Sequence, residues 1–228
     1  MGRTPVALVF AAVLLLVMPG CTRAVTGTAQ PDPNKAPVEI VDDGYGIRVG
    51  FAEAPIQLEI YTEPQCSHCA DLQADFGDQL RHYIAVGQLA VTYRPLTFLD
   101  TGANQHSDRV ANAMFEAATP GEGSATTDGP AYQRFVEELW TQHDAGLDHP
   151  DTGELAEMAR TAGLPDEVVA RIETGEEAVD TSEMQDFNFE FLYQIDPLET
   201  GTPTAYDLNN DEKLDIYDDD WLSTVMES

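Results

Sequence analysis

Two cysteines stand three positions apart in Glu63-Pro64-Gln65-Cys66-Ser67-His68-Cys69. Sulfurs at that spacing can open and close a disulfide, supply half of a metal site, or staple a loop. Three neighbours bear on the choice. His68 lies between the sulfurs, Ser67 beside it, and Glu59 in the run just upstream. Thiol exchange needs a nucleophilic thiolate, and it needs an acceptor for the proton of the second thiol. Cys66 is the candidate for the first role, Cys69 for the resolving thiol, and Glu59 for the acceptor. Glu63 reads as a loop acid.

The elements that must hold these groups follow from periodicity. Ile56, Leu58 and Ile60 alternate, whereas Cys69, Leu72, Phe76 and Leu80 step by three and four. A switch from period two to period 3.6 is a strand feeding a helix. Cys66 then falls at or just before the first helical turn, where free N–H groups and the helix dipole favour a thiolate. Cys69 falls one turn on, on the apolar face. The helix ends at Gly87, and residues 89–96 read as a second strand, which completes a βαβ unit.

From about 105 to 195 the pattern is helical, with Ser107 expected to cap the first of these helices and Pro130 to open another. Strand signals return at 204–208 and 214–216 around a polar turn, which reads as a hairpin. Asp218, Asp219 and Asp220 are expected to cap a last helix. No internal repeat is visible.

The 228 residues carry 41 acidic against 11 basic side chains, a formal charge of −30, with lysine only at positions 35 and 213. A polyanion repels nucleic acid, so nucleic acid is excluded as a partner. The N-terminus is a targeting segment. Arg3 precedes an apolar run at 6–18 that is too short to span a bilayer, and Met18-Pro19-Gly20-Cys21 follows. That tetrad resembles the lipobox of bacterial lipoproteins, which implies cleavage after residue 20, a lipid on Cys21, and a cell-membrane location facing away from the cytoplasm. One cysteine taken by lipid leaves a single pair in an oxidising compartment, where disulfides persist. A loop of two residues gains little as a staple, so the pair is chemical. The chain divides into a signal peptide at 1–20, a Pro- and Thr-bearing flexible tether at 21–45, a part at 46–104 and 196–228 that carries the cysteine pair, and an inserted helical domain at 105–195.

The order of strand, Cys66-Ser67-His68-Cys69 helix, strand, helical block, Gly201-Thr202-Pro203-Thr204, hairpin and helix resembles the DsbA-like thiol–disulfide oxidoreductases, an α/β thioredoxin fold with a helical insertion. Residues 94–100 and 109–113 also look like exported actinobacterial members. The resemblance implies that Cys66 and Cys69 are the redox disulfide, with Cys66 the nucleophile. It implies a cis Thr202–Pro203 bond facing that disulfide, which leaves the Thr202 backbone open to pair with a substrate. His68 matches the family histidine and would act on the Cys66 sulfur, while Ser67 stands where the family usually has proline. The implied partners are protein dithiol substrates and a membrane oxidase of the DsbB or VKOR type. No cofactor or resident metal is implied.

Other chemistries compete for the same residues. Zinc wants four ligands and the chain has one Cys-x-x-Cys, with His82, His106, His143 and His149 scattered. A copper chaperone would need a distal histidine beside Cys66. Asp207, Asn209, Asp211, Asp215 and Asp218 approach the spacing of a calcium loop, but Glu212 occupies the position that needs glycine. A non-catalytic binding lipoprotein on the same scaffold is the alternative of a different class.

Overall fold

The computed structural model describes residues 35–102, 105–121, 126–141 and 149–227. The signal peptide, Cys21 and most of the tether lie outside them. The central β3 (Ile56–Thr62) and β4 (Leu89–Pro95) run parallel, joined by α1 (Ser67–Ala85). Leu58 and Ile60 face α1, in one apolar cluster with Cys69, Leu72, Phe76 and Leu80. Strand alternation turns Tyr61 to the other face, where it meets Leu96 and Leu192. Both faces of the strand pair are therefore covered, as parallel strands require.

Between β4 and the next strand the chain forms α2 (His106–Ala118), α3 (Gly129–Thr141), α4 (Thr152–Ala162), α5 (Asp166–Thr174) and α6 (Thr181–Ile195). α3 packs on α1, and one continuous apolar cluster runs from the sheet through α2 to α5. α6 covers the opposite face, where Asn188 Nδ2 donates to the Pro95 carbonyl at 2.8 Å. β5 (Thr204–Asp207) then pairs antiparallel with β3, β6 (Glu212–Lys213) pairs with β5, and α7 (Trp221–Met226) closes the described chain. This is the expected α/β thioredoxin-like fold with its helical insertion. Among the described residues no helix is long and apolar enough to cross a membrane.

Four local expectations need correction. Residues 38–40, read as tether, form β1 (Val38–Ile40), which pairs with β2 (Ile47–Val49). Ala36 is buried just before it, with its carbonyl accepting from Gly129 N at 2.8 Å. A Cβ on Gly129 would sit 2.9 Å from Ile84 and 3.0 Å from Ala36, so only glycine allows this approach. The second hairpin strand lies at 212–213 rather than 214–216. Asp207 sets that turn, since its carboxylate accepts from Asn209 N at 2.8 Å and Asn210 Nδ2 at 2.8 Å. Ser107 does not cap α2. Asp100 does, accepting from Ser107 N at 3.0 Å and Asp108 N at 2.9 Å. The acids before α7 make no side-chain cap to its first turn; Asp218 Oδ1 accepts from Asp220 N at 3.1 Å instead.

Candidate active site

The end of β3, the start of α1 and the residues before β5 meet at one place. Cys66 is the N-cap of α1, in extended conformation, and its carbonyl accepts from Cys69 N at 3.1 Å and Ala70 N at 3.2 Å. Both cysteines are free thiols; Cys66 is half-buried and Cys69 is fully buried. The Thr202–Pro203 peptide is cis, and the Thr202 carbonyl accepts from the Cys66 thiol at 3.2 Å. Residues 136 positions apart are thus brought onto one sulfur.

The two thiols are pushed in opposite directions. A hydrogen bond from the Cys69 thiol is the largest influence on Cys66. Burial opposes it, and the Thr202 side chain and the backbone N–H groups of Cys69 and His68 reinforce it. The Cys66 thiol is thereby lowered to about 5. Burial first, and then the Cys66 sulfur, raise Cys69 well above the ordinary thiol range. A reactive thiolate over a protonated reserve thiol is the arrangement that thiol–disulfide exchange requires.

His68 takes part through its backbone. Its imidazole is exposed, with Nδ1 3.6 Å from Asp71 and its ring edge-on to Tyr217 at 6.1 Å. The Ser67 side chain, at the first helical position, is also exposed.

The two upstream acids have changed places relative to expectation. Glu59 points away from the dithiol, because Leu58 and Ile60 hold the α1 face and alternation sends Glu59 to the other one. There it pairs with Arg94 Nη2 at 2.9 Å, accepts from Arg94 Nε at 3.0 Å, and accepts from the Tyr61 hydroxyl at 2.8 Å. Arg94 is held in turn by Asp43 at 2.8 Å. Glu63, read as a loop acid, is fully buried beneath the cysteines. Its N–H lies 3.5 Å from Cys69 Sγ, and its carbonyl accepts from Cys66 N at 3.0 Å. Its carboxylate accepts from Gln65 N at 2.6 Å and from the Ser107 hydroxyl. Burial is the largest influence on it; the bonds from Ser107 and Gln65 pull the other way, and the result is a carboxyl raised to about 7. The closeness of Glu63 to Cys66 in sequence was the available signal. Gln65, Asp100 and Ser107 gave none.

Among the described residues no group of three or more histidines, cysteines or acids is placed to hold a metal ion. The Asp207 carboxylate of the candidate calcium loop is engaged by the N–H groups of its own turn.

Comparison with known proteins agrees with this geometry. A family model described as "Thioredoxin" matches residues 42–187. The MdbA thiol–disulfide oxidoreductase of Corynebacterium diphtheriae superposes with a TM-score of 0.68 at 19% identity, covering 84% of this chain and 93% of that one. MdbA of Corynebacterium matruchotii gives 0.63 at 22% identity over 78% and 86%. Reduced DsbA of Mycobacterium tuberculosis gives 0.55 at 23% over 75% and 84%. In sequence, the serine/threonine-protein kinase PknE of Mycobacterium tuberculosis is 29% identical over 137 residues, 57% of this chain but 23% of the kinase. With its Cys66–Cys69 helix, its cis Thr202–Pro203 peptide and most of its length under one family model, the chain belongs to the thioredoxin family.

Proposed function

We propose that this protein is an extracytoplasmic thiol–disulfide oxidoreductase that oxidises dithiols in other proteins through the Cys66–Cys69 pair. What supports the direction is the place of Cys66 at the N-cap of α1, where the Cys69 thiol and the backbone N–H groups of Cys69 and His68 act on its sulfur and lower it to about 5. A stabilised thiolate favours the reduced form, so the disulfide gives up its oxidising equivalents readily. A substrate thiolate attacks Cys66 Sγ of the disulfide, and Cys69 leaves as a thiol. A second substrate thiolate attacks the substrate sulfur of the mixed disulfide, and Cys66 leaves as a thiolate. Glu63, rather than Glu59, supplies the proton that Cys69 needs on leaving: its carboxyl is the one on which the Cys66 sulfur acts, whereas Glu59 is paired with Arg94. Thr202 and Pro203 form the wall along which the substrate strand pairs.

The remaining parts follow from the sequence. Cleavage after residue 20 leaves Cys21 lipidated on the outer face of the cell membrane, and residues beyond it tether the redox body. A DsbB- or VKOR-type membrane oxidase returns the pair to the disulfide.

The test is the reduction potential against glutathione. A value near about −120 mV supports the oxidase, and one near about −270 mV, in the thioredoxin range, refutes it. A non-catalytic scaffold makes a separate prediction: Cys66→Ala would leave the cellular phenotype unchanged, and Cys69→Ala would trap no mixed disulfides.

A further inference from the structure

Three side chains around Glu63 form a directed chain of hydrogen bonds that crosses from the active site into the helical insertion. Gln65 Nε2 donates to Asp100 Oδ1 at 2.8 Å and to Ser107 Oγ at 2.9 Å. The Ser107 hydroxyl, whose lone pair Gln65 occupies, donates its hydrogen to Glu63 Oε1. Asp100 also accepts from the Ser107 and Asp108 N–H groups, which fixes the first turn of α2 against the β4–α2 loop. Every donor in the set has one acceptor, and the arrangement closes only with Glu63 as an acceptor. A protonated Glu63 would turn its own hydrogen toward Ser107 Oγ and displace the serine hydrogen. The wiring therefore favours the carboxylate, against the burial that disfavours it.

We propose that Ser107 is a positioning residue for the redox reaction: from α2 it holds the Glu63 carboxyl in place and sets when that group can take the Cys69 proton. The proposal rests on the reading of Cys66 and Cys69 as the exchange pair.

The step it governs is resolution of a mixed disulfide. The Cys69 proton passes to the Glu63 carboxylate. The Cys69 sulfur bonds to Cys66 Sγ, the bond from Cys66 to the foreign sulfur breaks, and that sulfur leaves as a thiolate. The two protein sulfurs are oxidised and the foreign disulfide is reduced. In the opposite direction the Glu63 carboxyl returns the proton to Cys69 as it leaves. The titratable and charged groups that act on Glu63 are Asp100 from the β4–α2 loop and Cys66 from α1, both of which raise it. Cys69 Sγ lies 3.5 Å from the Glu63 backbone N–H, and Ser107 and Gln65 lower the carboxyl.

The experiment mixes the reduced full-length protein with dithiobis(nitrobenzoate) and follows release of the coloured thiolate across pH. The first phase reports attack by Cys66. The second reports resolution by Cys69, and in the wild type its rate climbs with a midpoint near 7, where Glu63 ionises. Ser107→Ala removes a donor to the charged form, so the midpoint of the second phase moves up by about one pH unit. Its rate at pH 6 falls about tenfold, while the first phase and the high-pH plateau stay put. Ser107→Thr restores the hydroxyl and the wild-type midpoint. Each midpoint is read within one variant, so a loss of stability does not move it. An unmoved midpoint in Ser107→Ala, or one that Ser107→Thr fails to restore, overturns the proposal. Absence of any second phase in the wild type instead removes the exchange pair itself, a failure of the functional reading that no serine variant is needed to detect.

Discussion

Two buried regions flank β3, and they treat negative charge in opposite ways. In the Arg94 corner, Glu59 and Asp43 share one guanidinium at 2.9 and 2.8 Å, and Tyr61 donates to what is left of Glu59. In the dithiol chamber on the other side, Glu63 is as deeply buried as any residue in the protein, and no described ion pair includes it. It is held only by neutral donors, Gln65 N and the Ser107 hydroxyl. Four positions separate the two glutamates. A buried carboxylate with a cation across from it is paired and serves structure. One without a cation is left close to neutrality in its proton equilibrium and can take part in chemistry.

The largest expected effect comes from removing the cation. Arg94→Ala strands the Glu59 carboxylate in the protein interior and costs about 4 kcal/mol in denaturant unfolding, since breaking a buried pair leaves an uncompensated charge. The pH midpoint of cysteine exchange should not change, because that charge lies across the sheet from the sulfurs. A shifted exchange midpoint would mean the two regions are coupled and the contrast between them is false.

Glu63→Gln acts in the reverse sense. A carboxyl raised to about 7 in the folded state, from 4.5, destabilises the fold as pH rises from the lower value to the higher, and by a constant amount above it. The variant should therefore match the wild type below pH 4.5 and gain about 3 kcal/mol of stability at pH 8. The same variant should resolve mixed disulfides about tenfold to a hundredfold more slowly at pH 7. A variant more stable and less active than its parent is the mark of a buried acid kept for chemistry. If unfolding curves at pH 8 superimpose, the carboxylate is solvated and the chamber is not dry.

The contrast was half legible in the sequence. The βαβ unit, the N-terminal place of Cys66, the glycine stop at Gly87 and the helical insertion all follow from local sequence signals, which a single strand or helix carries in full. The alternation of Ile56, Leu58 and Ile60 puts Glu59 on the face opposite Leu58, and the structure has it there. What parity alone did not decide is which face carries the dithiol, and Cys69 packing with Leu58 and Ile60 decides it. Glu63 lies one residue past the end of β3, where alternation no longer fixes direction, so nothing local said that it turns inward. Ser107 offers a hydroxyl at a helix start, which locally reads as a cap. Its partner is 44 residues away, and Asp100 takes the capping role. β1 was hidden for a different reason: three residues are too few for a period, and prolines at 31, 33 and 37 give their surroundings the composition of a linker.

A third measurement compares redox states of the chamber. In the reduced protein Cys66 is lowered to about 5 from an ordinary thiol value of 9.0. A depressed value adds stability that is present in full above 9, shrinks as pH falls between 9 and 5, and is gone below 5. The oxidised protein has no thiolate to contribute. Discounted for solvent at the half-buried sulfur, the reduced form should gain about 1 kcal/mol over the oxidised form between pH 5 and pH 7. Thermal unfolding of the two forms across that range checks it. A difference that stays constant with pH would mean that the thiolate is not specially held.

The smallest effect concerns His68, a side chain near the chamber that could bring a positive charge to it. His68 faces outward to Asp71 and Tyr217, and it is the His68 backbone N–H that acts on the Cys66 sulfur. A backbone donor survives substitution, so His68→Ala should move the Cys66 thiolate midpoint, followed by absorbance at 240 nm, by less than about half a pH unit, in line with other exposed charges. Thr202→Val removes a side chain that lowers Cys66 and should move the midpoint up by more. The order of the two matters more than either size. A larger shift for His68→Ala than for Thr202→Val would place an imidazolium against the thiolate, and the chamber would then hold its charge as the Arg94 corner does, with a cation.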